Sequence, residues 1–457
     1  MSVRWMPGAA LVVTGLLVPP PAAAQGAPSA RWFLHEWAEQ LWLQILDRQG
    51  GAGGRFGANG LLLRFDRRID EEYRLDLLAT RFTHGESADW HARDGGFRWR
   101  AGSITKRDMA TFAEMKAGVP VGDRWRFGVR FNLEDHVRAD RAFVRTAFDW
   151  SVSPRYLVYA EGSLDPRKPG SDLEFGALWQ GAGQGGSSAH LAVAVLDWVN
   201  DLIYVSLNAA GGGEVESTIV YDRQPLAARG GLDLRLARTL RLAVRAGYLR
   251  PSAARTYAGV MADSGFRQWE RMGFAGGLLV WDPSADLQLG AVGTYLAARS
   301  ERTRLSPQVP VDEYDLTERT TEVGALASAH LGRSLYLDVI ALNVRQLERR
   351  DNRTTPDLSV DYADRAWAGE VLVARRPPRG FSAEVGVLLD TRDIIRGAGQ
   401  PPGGSARVRP HQGRARADVG WRFGDQASFM IGSAVDLDGD EVGRRFDGIR
   451  GRFLLLW

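Results

Sequence analysis

The 457-residue chain contains no cysteine and only three lysines, and beyond its first residues no apolar run approaches the length of a membrane-spanning helix. The absence of cysteine excludes a disulfide framework and cysteine metal sites. Because Lys106, Lys116 and Lys168 are the only lysines, arginine supplies nearly all of the 58 basic residues. The 55 acidic residues reduce the formal charge to +3, which argues against a surface that is uniformly basic for nucleic acid.

The first 24 residues predict a signal peptide. Arg4 precedes an apolar stretch over residues 9–18, and three alanines end at Ala24, immediately before Gln25. A transmembrane anchor is the alternative, but the stretch is about half of the roughly 20 residues that a spanning helix needs. No cysteine follows for lipid attachment. We therefore expect export through the general secretory route, with cleavage after Ala24.

Residues 25–54 form an N-terminal segment that differs from the rest of the chain. Within residues 31–49, apolar side chains recur at helical spacing and predict a short amphipathic helix. Such a helix could lie on the inner leaflet surface or plug a pore, and a first strand over residues 41–46 is the alternative. The apolar side chains are Phe33, Leu34, Trp37, Leu41 and Ile45.

From residue 55 to residue 457 the dominant pattern has period two. In residues 124–134, apolar side chains from Trp125 to Leu133 alternate with polar ones from Arg126 to Glu134. The same alternation returns in residues 240–249 and 414–423, with no helical pattern between strands. The chain is therefore predicted to be all-β. Residues 190–221 are ambiguous and fit two strands or four.

Connection lengths distinguish a membrane barrel from a soluble sandwich or propeller, which would also alternate. In the second half, short turns near residues 238, 283, 332, 377 and 424 alternate with long polar stretches. This strict alternation of short and long connections is typical of an outer-membrane barrel, which has short periplasmic turns and long extracellular loops. Aromatic residues cluster near the short turns, as in an interfacial girdle. They are Trp125, Trp150, Tyr156, Trp281, Phe381, Trp421, Phe423 and Phe429.

The last strand carries the family resemblance. Ile449, Gly451, Phe453, Leu455 and Trp457 alternate, and the chain ends on that aromatic residue. In this the sequence resembles the bacterial, Gram-negative-type outer-membrane β-barrel class. The resemblance implies the outer membrane as location, contact with its lipids and lipopolysaccharide, and recognition of the terminal strand by the barrel-assembly machinery.

We therefore expect a single large antiparallel transmembrane β-barrel over residues 55–457, with an even number of roughly 18 to 22 strands. Single large barrels of the alginate-export type, with an arginine-lined channel, offer an architectural analogy that no diagnostic motif supports.

If the apolar face contacts lipid, the alternate residues line the lumen. Ten arginines are the candidate pore-lining residues: Arg126, Arg130, Arg145, Arg235, Arg241, Arg245, Arg345, Arg414, Arg416 and Arg422. Guanidinium groups could guide anions, because they stay charged and bind carboxylate or phosphate in a bidentate way. Acidic residues share the same face, so a salt-bridged interior that only keeps the barrel rigid is the alternative.

The functional expectation is an outer-membrane channel that passes anionic solutes or exports an acidic polysaccharide. The alternative is a non-pore barrel that displays its loops structurally or adhesively, or that modifies lipids. No catalytic motif is present. His330 lies close in sequence to Ser328 and Ser334, but neighbours in sequence do not make a catalytic dyad. We expect no enzyme activity, cofactor, resident metal or nucleic-acid partner, and the oligomeric state stays open.

Overall fold

A computed structural model describes residues 95–456 except for short gaps. The gaps are residues 106–107, 137–138, 165–171, 182–186, 197–201, 208–213, 224, 259–264, 307–312, 355, 357–358, 397–406, 409–410, 425–426 and 438–445. The predicted signal peptide, the N-terminal segment, residues 55–94 of the predicted barrel and Trp457 lie outside the described residues. No helix long and apolar enough to cross a membrane occurs within the described ranges.

The described chain is built of β-strands. The first ten are β1 Gly95–Thr105, β2 Asp108–Val121, β3 Trp125–His136, β4 Ala139–Ser153, β5 Tyr156–Leu164, β6 Leu173–Gln180, β7 Ser188–Val195, β8 Leu202–Leu207, β9 Glu214–Arg223 and β10 Leu226–Arg235. The others are β11 Leu240–Ala258, β12 Phe266–Ser284, β13 Leu287–Arg304, β14 Tyr314–Gly332, β15 Leu335–Asn352, β16 Val360–Arg375, β17 Arg379–Arg396, β18 Arg407–Val408, β19 His411–Phe423, β20 Ala427–Asp436 and β21 Phe446–Leu456.

Eighteen of these strands pair in a ring, and every pairing is antiparallel. The order runs from β1 to β7, then to β10 through β17, and then to β19, β20 and β21. Pairing of β1 with β21, Gly96 opposite Leu456, closes the circle. The structure therefore confirms the predicted all-β antiparallel barrel with an even strand number, at the lower end of the expected range.

The ambiguous stretch over residues 190–221 is one interrupted hairpin. Strand β8 pairs with β9, β7 pairs with β10, and both β9 and β10 pair with β11. Pro225 lies in the break between β9 and β10 and has no backbone N–H to donate to the ladder. The stretch itself holds three strand segments, the end of β7, β8 and β9, so neither two strands nor four is correct. Together with β10, which begins after residue 221, the segments build two ring positions.

The two faces of each ring strand differ in exposure. On β12 and β17, outward side chains such as Trp281 at 48% and Val385 at 61% are exposed, whereas their inward neighbours are buried. An exposed apolar face on a closed ring is the face that lipid covers. For most strands, the apolar side chains of the alternating pattern therefore lie on the outer face of the barrel.

The predicted short turns and aromatic girdle lie together at one end of the barrel, called here the short-turn end. All eight predicted girdle aromatics are exposed there, and the ring of Trp125 stacks on those of Phe148 and Trp150 at 4.8 and 5.3 Å. Gly332 and Gly424 turn the chain with φ values of 97° and 88°. A residue with a Cβ rarely adopts this conformation, so glycine suits both turns.

The predicted long polar loops are shorter than expected. The sequence predicts long polar loops over residues 250–270 and 299–319, whereas β11 continues to Ala258 and β14 begins at Tyr314. These extensions carry polar side chains on both faces, such as Arg299 and Ser300 of β13. Because these extensions have no apolar row facing lipid, their sequence does not alternate between apolar and polar residues and does not predict a strand.

Candidate functional site

The inner face of the barrel carries most of the predicted arginines at two heights. The first group, called the mouth tier, lies near the short-turn end. It consists of Arg126 on β3, Arg235 on β10, Arg241 on β11 and Arg422 on β19. Arg235 is exposed and the other three are partly exposed. Arg241 contacts Asp282 at 3.5 Å, and Arg235 lies directly opposite Arg241 in the ladder.

The second group, called the inner tier, lies further from the short-turn end and is buried; on strands that also carry a mouth-tier arginine it is four to eight residues away. Arg130 of β3 and Arg145 of β4 are directly opposite each other and share Glu161 of β5. The Arg145 Nη1 donates to Glu161 Oε1 at 3.0 Å, and Arg130 Nη1 lies 4.0 Å from the same oxygen. The Glu161 carboxylate therefore contacts two guanidinium groups at once.

Two further ion pairs extend the inner tier onto β10 and β11. Arg229 donates two hydrogen bonds to Glu174 Oε1, at 2.6 and 3.2 Å, and the Tyr159 hydroxyl donates to the same oxygen at 2.7 Å. Arg245 Nη2 donates to Asp233 Oδ2 at 2.7 Å. These charges are buried and hydrogen-bonded, as stable buried ions must be.

On the other flank of the barrel, β19 contributes Arg414 and Arg416 to the inner tier. Arg416 forms an ion pair with Glu370 of β16, across the intervening strand β17. Glu384 of β17 lies 3.5 Å from Arg452 of β21. Arg414 is buried and also makes a polar or ionic contact.

Acidic side chains dominate the opposite inner wall. Six carboxylates on β12, β14, β15 and β16 are at most 6% exposed, and each has a polar or ionic contact: Glu270, Glu318, Glu322, Glu348, Asp364 and Glu370. Strands β14 and β15 lie nine positions around the ring from β3 and β4. This part of the inner wall is called the acidic sector, and the Arg130–Arg145 pair lies across the lumen from it.

The acidic sector also contains apolar side chains on the inward face. Leu278, Leu326, Ile340, Leu342 and Val344 point inward and are at most 3% exposed. They belong to a buried apolar cluster that extends from β7 to β17. In an open, water-filled pore such side chains would be exposed to water. Because they are buried, this part of the lumen wall is shielded from solvent.

One predicted pore-lining residue is misplaced. Arg345 of β15 is exposed on the outer face, in the same alternate row as Val339 and Leu347. The reason is that β15 has apolar residues on both faces, so alternation alone does not say which row contacts lipid. The other nine arginines of the predicted set lie on the inner face.

Sequence reasoning also missed inward arginines. Arg229 lies in the same alternate row of β10 as the predicted Arg235, and that shared row could have identified it. Arg376 lies in a short turn and bends inward to Asp338 and Glu384, which no strand pattern could indicate.

The structure separates the candidate serine and histidine. The Ser328 hydroxyl donates to Asp338 Oδ1 at 2.6 Å, whereas His330 Nδ1 lies 3.0 Å from Asp286 Oδ1 in a neighbouring turn. Each side chain has its own carboxylate partner, and the two do not form a dyad. Within the described ranges, no three His, Asp or Glu side chains are grouped to hold a metal ion.

No protein-family model matches the chain, and no curated protein matches it. Among solved structures it is similar to a bacterial polysaccharide outer membrane secretin, with 10% identity and a TM-score of 0.33 over 79% of this chain and 98% of that one. It is similar to Pseudomonas aeruginosa OccK11 (OpdR), with 12% identity and a TM-score of 0.36 over 80% and 96%. It is also similar to a loop-deletion mutant of OmpT, an outer membrane protein of Vibrio cholerae, with 10% identity and a TM-score of 0.37 over 79% and 97%.

The chain's own geometry identifies its architecture. A closed antiparallel ring, an exposed apolar outer band, an aromatic girdle at one end and a charged interior are the features of a bacterial outer-membrane β-barrel.

Proposed function

We propose that the protein is an outer-membrane channel that passes anionic solutes, or exports an acidic polysaccharide, along the arginines of its inner face. The observation that carries the proposal is the clustering of inward arginines in two tiers. An 18-stranded ring is wide enough to enclose an aqueous path. Guanidinium groups bind carboxylate and phosphate and stay charged at any working pH.

The two tiers support different steps. The mouth tier is accessible to water and would raise the local concentration of anions at the short-turn end. The inner tier is ion-paired with Glu161, Glu174, Asp233 and Glu370. A solute carboxylate would exchange with these protein carboxylates, and the exchange would make passage selective and slow. Partners outside the chain, namely lipopolysaccharide and the assembly machinery acting on the strand that ends at Trp457, remain predictions.

The test is the reversal potential of single channels in a planar bilayer under a salt gradient, using the refolded full chain. The proposal expects an anion-preferring current that a polyuronate blocks. In the variant Arg126→Gln/Arg241→Gln/Arg422→Gln, the reversal potential should move toward that of an unselective pore. Arg375→Gln is the matched control, because Arg375 is exposed near the same end but on the outer face. A cation-preferring current would contradict the proposal.

The second candidate is a non-pore barrel, and the burial of the inner wall favours it. Inward side chains such as Arg145 at 1% and Leu342 at 1% have almost no contact with solvent. A barrel that inserts with full heat-modifiable mobility on gels, yet conducts no ions and releases no trapped anionic dye from vesicles, would support this candidate against the channel.

A further inference from the structure

The outer face of the barrel carries an uninterrupted row of arginines. Five adjacent ring strands, β12 to β16, each present one: Arg271, Arg299, Arg319, Arg345 and Arg365. Arg299 is 40% exposed, and the other four are exposed. This group is called the outer arginine strip.

The strand register makes the strip continuous. Arg271 lies directly opposite Arg299, and Arg345 lies directly opposite Arg365. Arg319 is the diagonal neighbour of both Arg299 and Arg345. Like charges that face each other across a strand pair are unfavourable by themselves. Two such pairs in succession make this part of the outer face a place where an anion would relieve the repulsion between guanidinium groups.

The strip lies at one height in the membrane. In β12, Arg271 is ten residues from the girdle residue Trp281, and in β16 Arg365 is ten residues from Arg375 at the short-turn end. Ten residues of a strand tilted by about 40° rise roughly 25 Å, which is the height of the apolar band of such barrels. The outward residues between the two edges of β16, from Trp367 to Val373, are uncharged. The strip therefore marks the upper edge of the apolar band, at the headgroups of the outer leaflet.

The partners available within the protein do not neutralise the strip. Arg299 forms an ion pair with Asp315 at 2.6 Å, and Asp393 of β17 lies directly opposite Arg365 in the strand register, at the end of the strip. Trp269 lies between Arg271 and Arg299, 5.6 and 5.8 Å from their guanidinium carbons, so its ring holds both groups side by side at the edge. A paired, pre-positioned set of guanidinium groups at a lipid interface fits bidentate binding of phosphate.

We propose that the outer arginine strip binds the phosphate groups of outer-leaflet lipopolysaccharide, with Arg271–Arg299 and Arg345–Arg365 as two phosphate-bridged pairs. The ligand class is a phosphorylated lipid headgroup rather than a soluble anion. The inference rests on the same outer-membrane position as the proposed channel, but it uses no residue of the lumen.

The experiment measures binding of purified diphosphorylated lipid A, and of the same lipid after removal of its phosphates, to the refolded full chain. Native mass spectrometry counts the bound lipids. The wild type should bind the phosphorylated lipid about tenfold more tightly than the dephosphorylated one, and Arg345→Gln/Arg365→Gln should lose most of that difference. Arg375→Gln, on the outer face of β16 at the opposite edge, should retain it.

Equal binding of the two lipids by the wild type, or an unchanged preference in Arg345→Gln/Arg365→Gln, would overturn the proposal. Competition by inorganic phosphate at concentrations comparable with the lipid would also overturn it, because the strip would then be a general anion site. Heat-modifiable mobility verifies that each variant folds, and Arg271→Gln provides a second, single substitution in the other pair. A barrel that conducts no ions but still discriminates the two lipids would contradict the proposed channel and support this inference.

Discussion

The inward and outward arginines of the barrel are the same residue type in opposite surroundings. Inward members such as Arg145 and Arg229 are buried, and each forms an ion pair with a carboxylate of another strand. Outward members such as Arg345 and Arg365 are exposed and lie opposite one another. The inner groups are therefore held by anions that the fold supplies, whereas the outer groups face anions that the membrane supplies.

This difference shows that arginine content alone does not define a lumen. On β12 to β16, arginines lie along the upper edge of the outer face, while the inner face of the same strands carries acids such as Glu318 and Glu370. The row to which a residue belongs, and its distance from the short-turn end, decide its role.

The largest effect is expected for Glu161→Gln. Glu161 is the carboxylate shared by Arg130 and Arg145, and its loss leaves two buried guanidinium groups without their anion. Removing one member of a buried ion pair lowers the free energy of unfolding by about 3–5 kcal/mol. Urea unfolding of the refolded protein in vesicles, followed by tryptophan fluorescence, measures the change.

The matched control for that prediction is Asp351→Asn, which removes the exposed partner of Arg349 at 3.1 Å. An exposed pair contributes about 0–1 kcal/mol, so unfolding should barely change. If both variants lost the same free energy of unfolding, burial would not determine how much the ion pairs of the inner tier stabilise the barrel.

The next effect concerns the apolar band itself. Val385 of β17 is exposed on the outer face, four residues from the girdle residue Phe381. The substitution Val385→Arg should reduce the free energy of unfolding by about 2–4 kcal/mol, because a charge near the bilayer midplane is poorly solvated.

Leu347→Arg provides the depth control, since Leu347 lies two residues beyond Arg345 on the outer face. Its expected loss is about 0–1 kcal/mol, in accord with a position at the interface. If Leu347→Arg destabilised the barrel as much as Val385→Arg, the outer arginine strip would not mark the upper edge of the band. Unfolding in urea again gives both values.

The smallest effect is expected at the aromatic girdle. Trp125 stacks on Phe148 and Trp150, so Trp125→Leu should remove about 0.5–1.5 kcal/mol of stacking energy. Trp367→Leu is the comparison, because Trp367 lies on the outer face of β16 within the apolar band. Equal losses in the two variants would indicate that the stack adds nothing beyond contact with lipid.

Sequence reasoning could predict the barrel because period-two alternation and the parity of short turns are local signals. The inner position of Arg130 and Arg416 follows from the same alternation. Alternation failed for Arg345. Strand β15 has apolar residues on both faces, so the pattern does not show which of its two rows contacts lipid. It could not predict the shared carboxylate of Glu161 or the opposed pair Arg271–Arg299, because both depend on the register between strands, which no single strand encodes.

The most direct test is the reversal potential of both arginine sets in one salt gradient. The mouth-tier variant Arg126→Gln/Arg241→Gln/Arg422→Gln is compared with the outer variant Arg345→Gln/Arg365→Gln in the same bilayer. The account predicts that the first loses anion preference and that the second keeps the wild-type reversal potential. An equal shift in both variants, or a shift in the outer variant alone, would contradict the assignment of inner arginines to solutes and outer arginines to lipid.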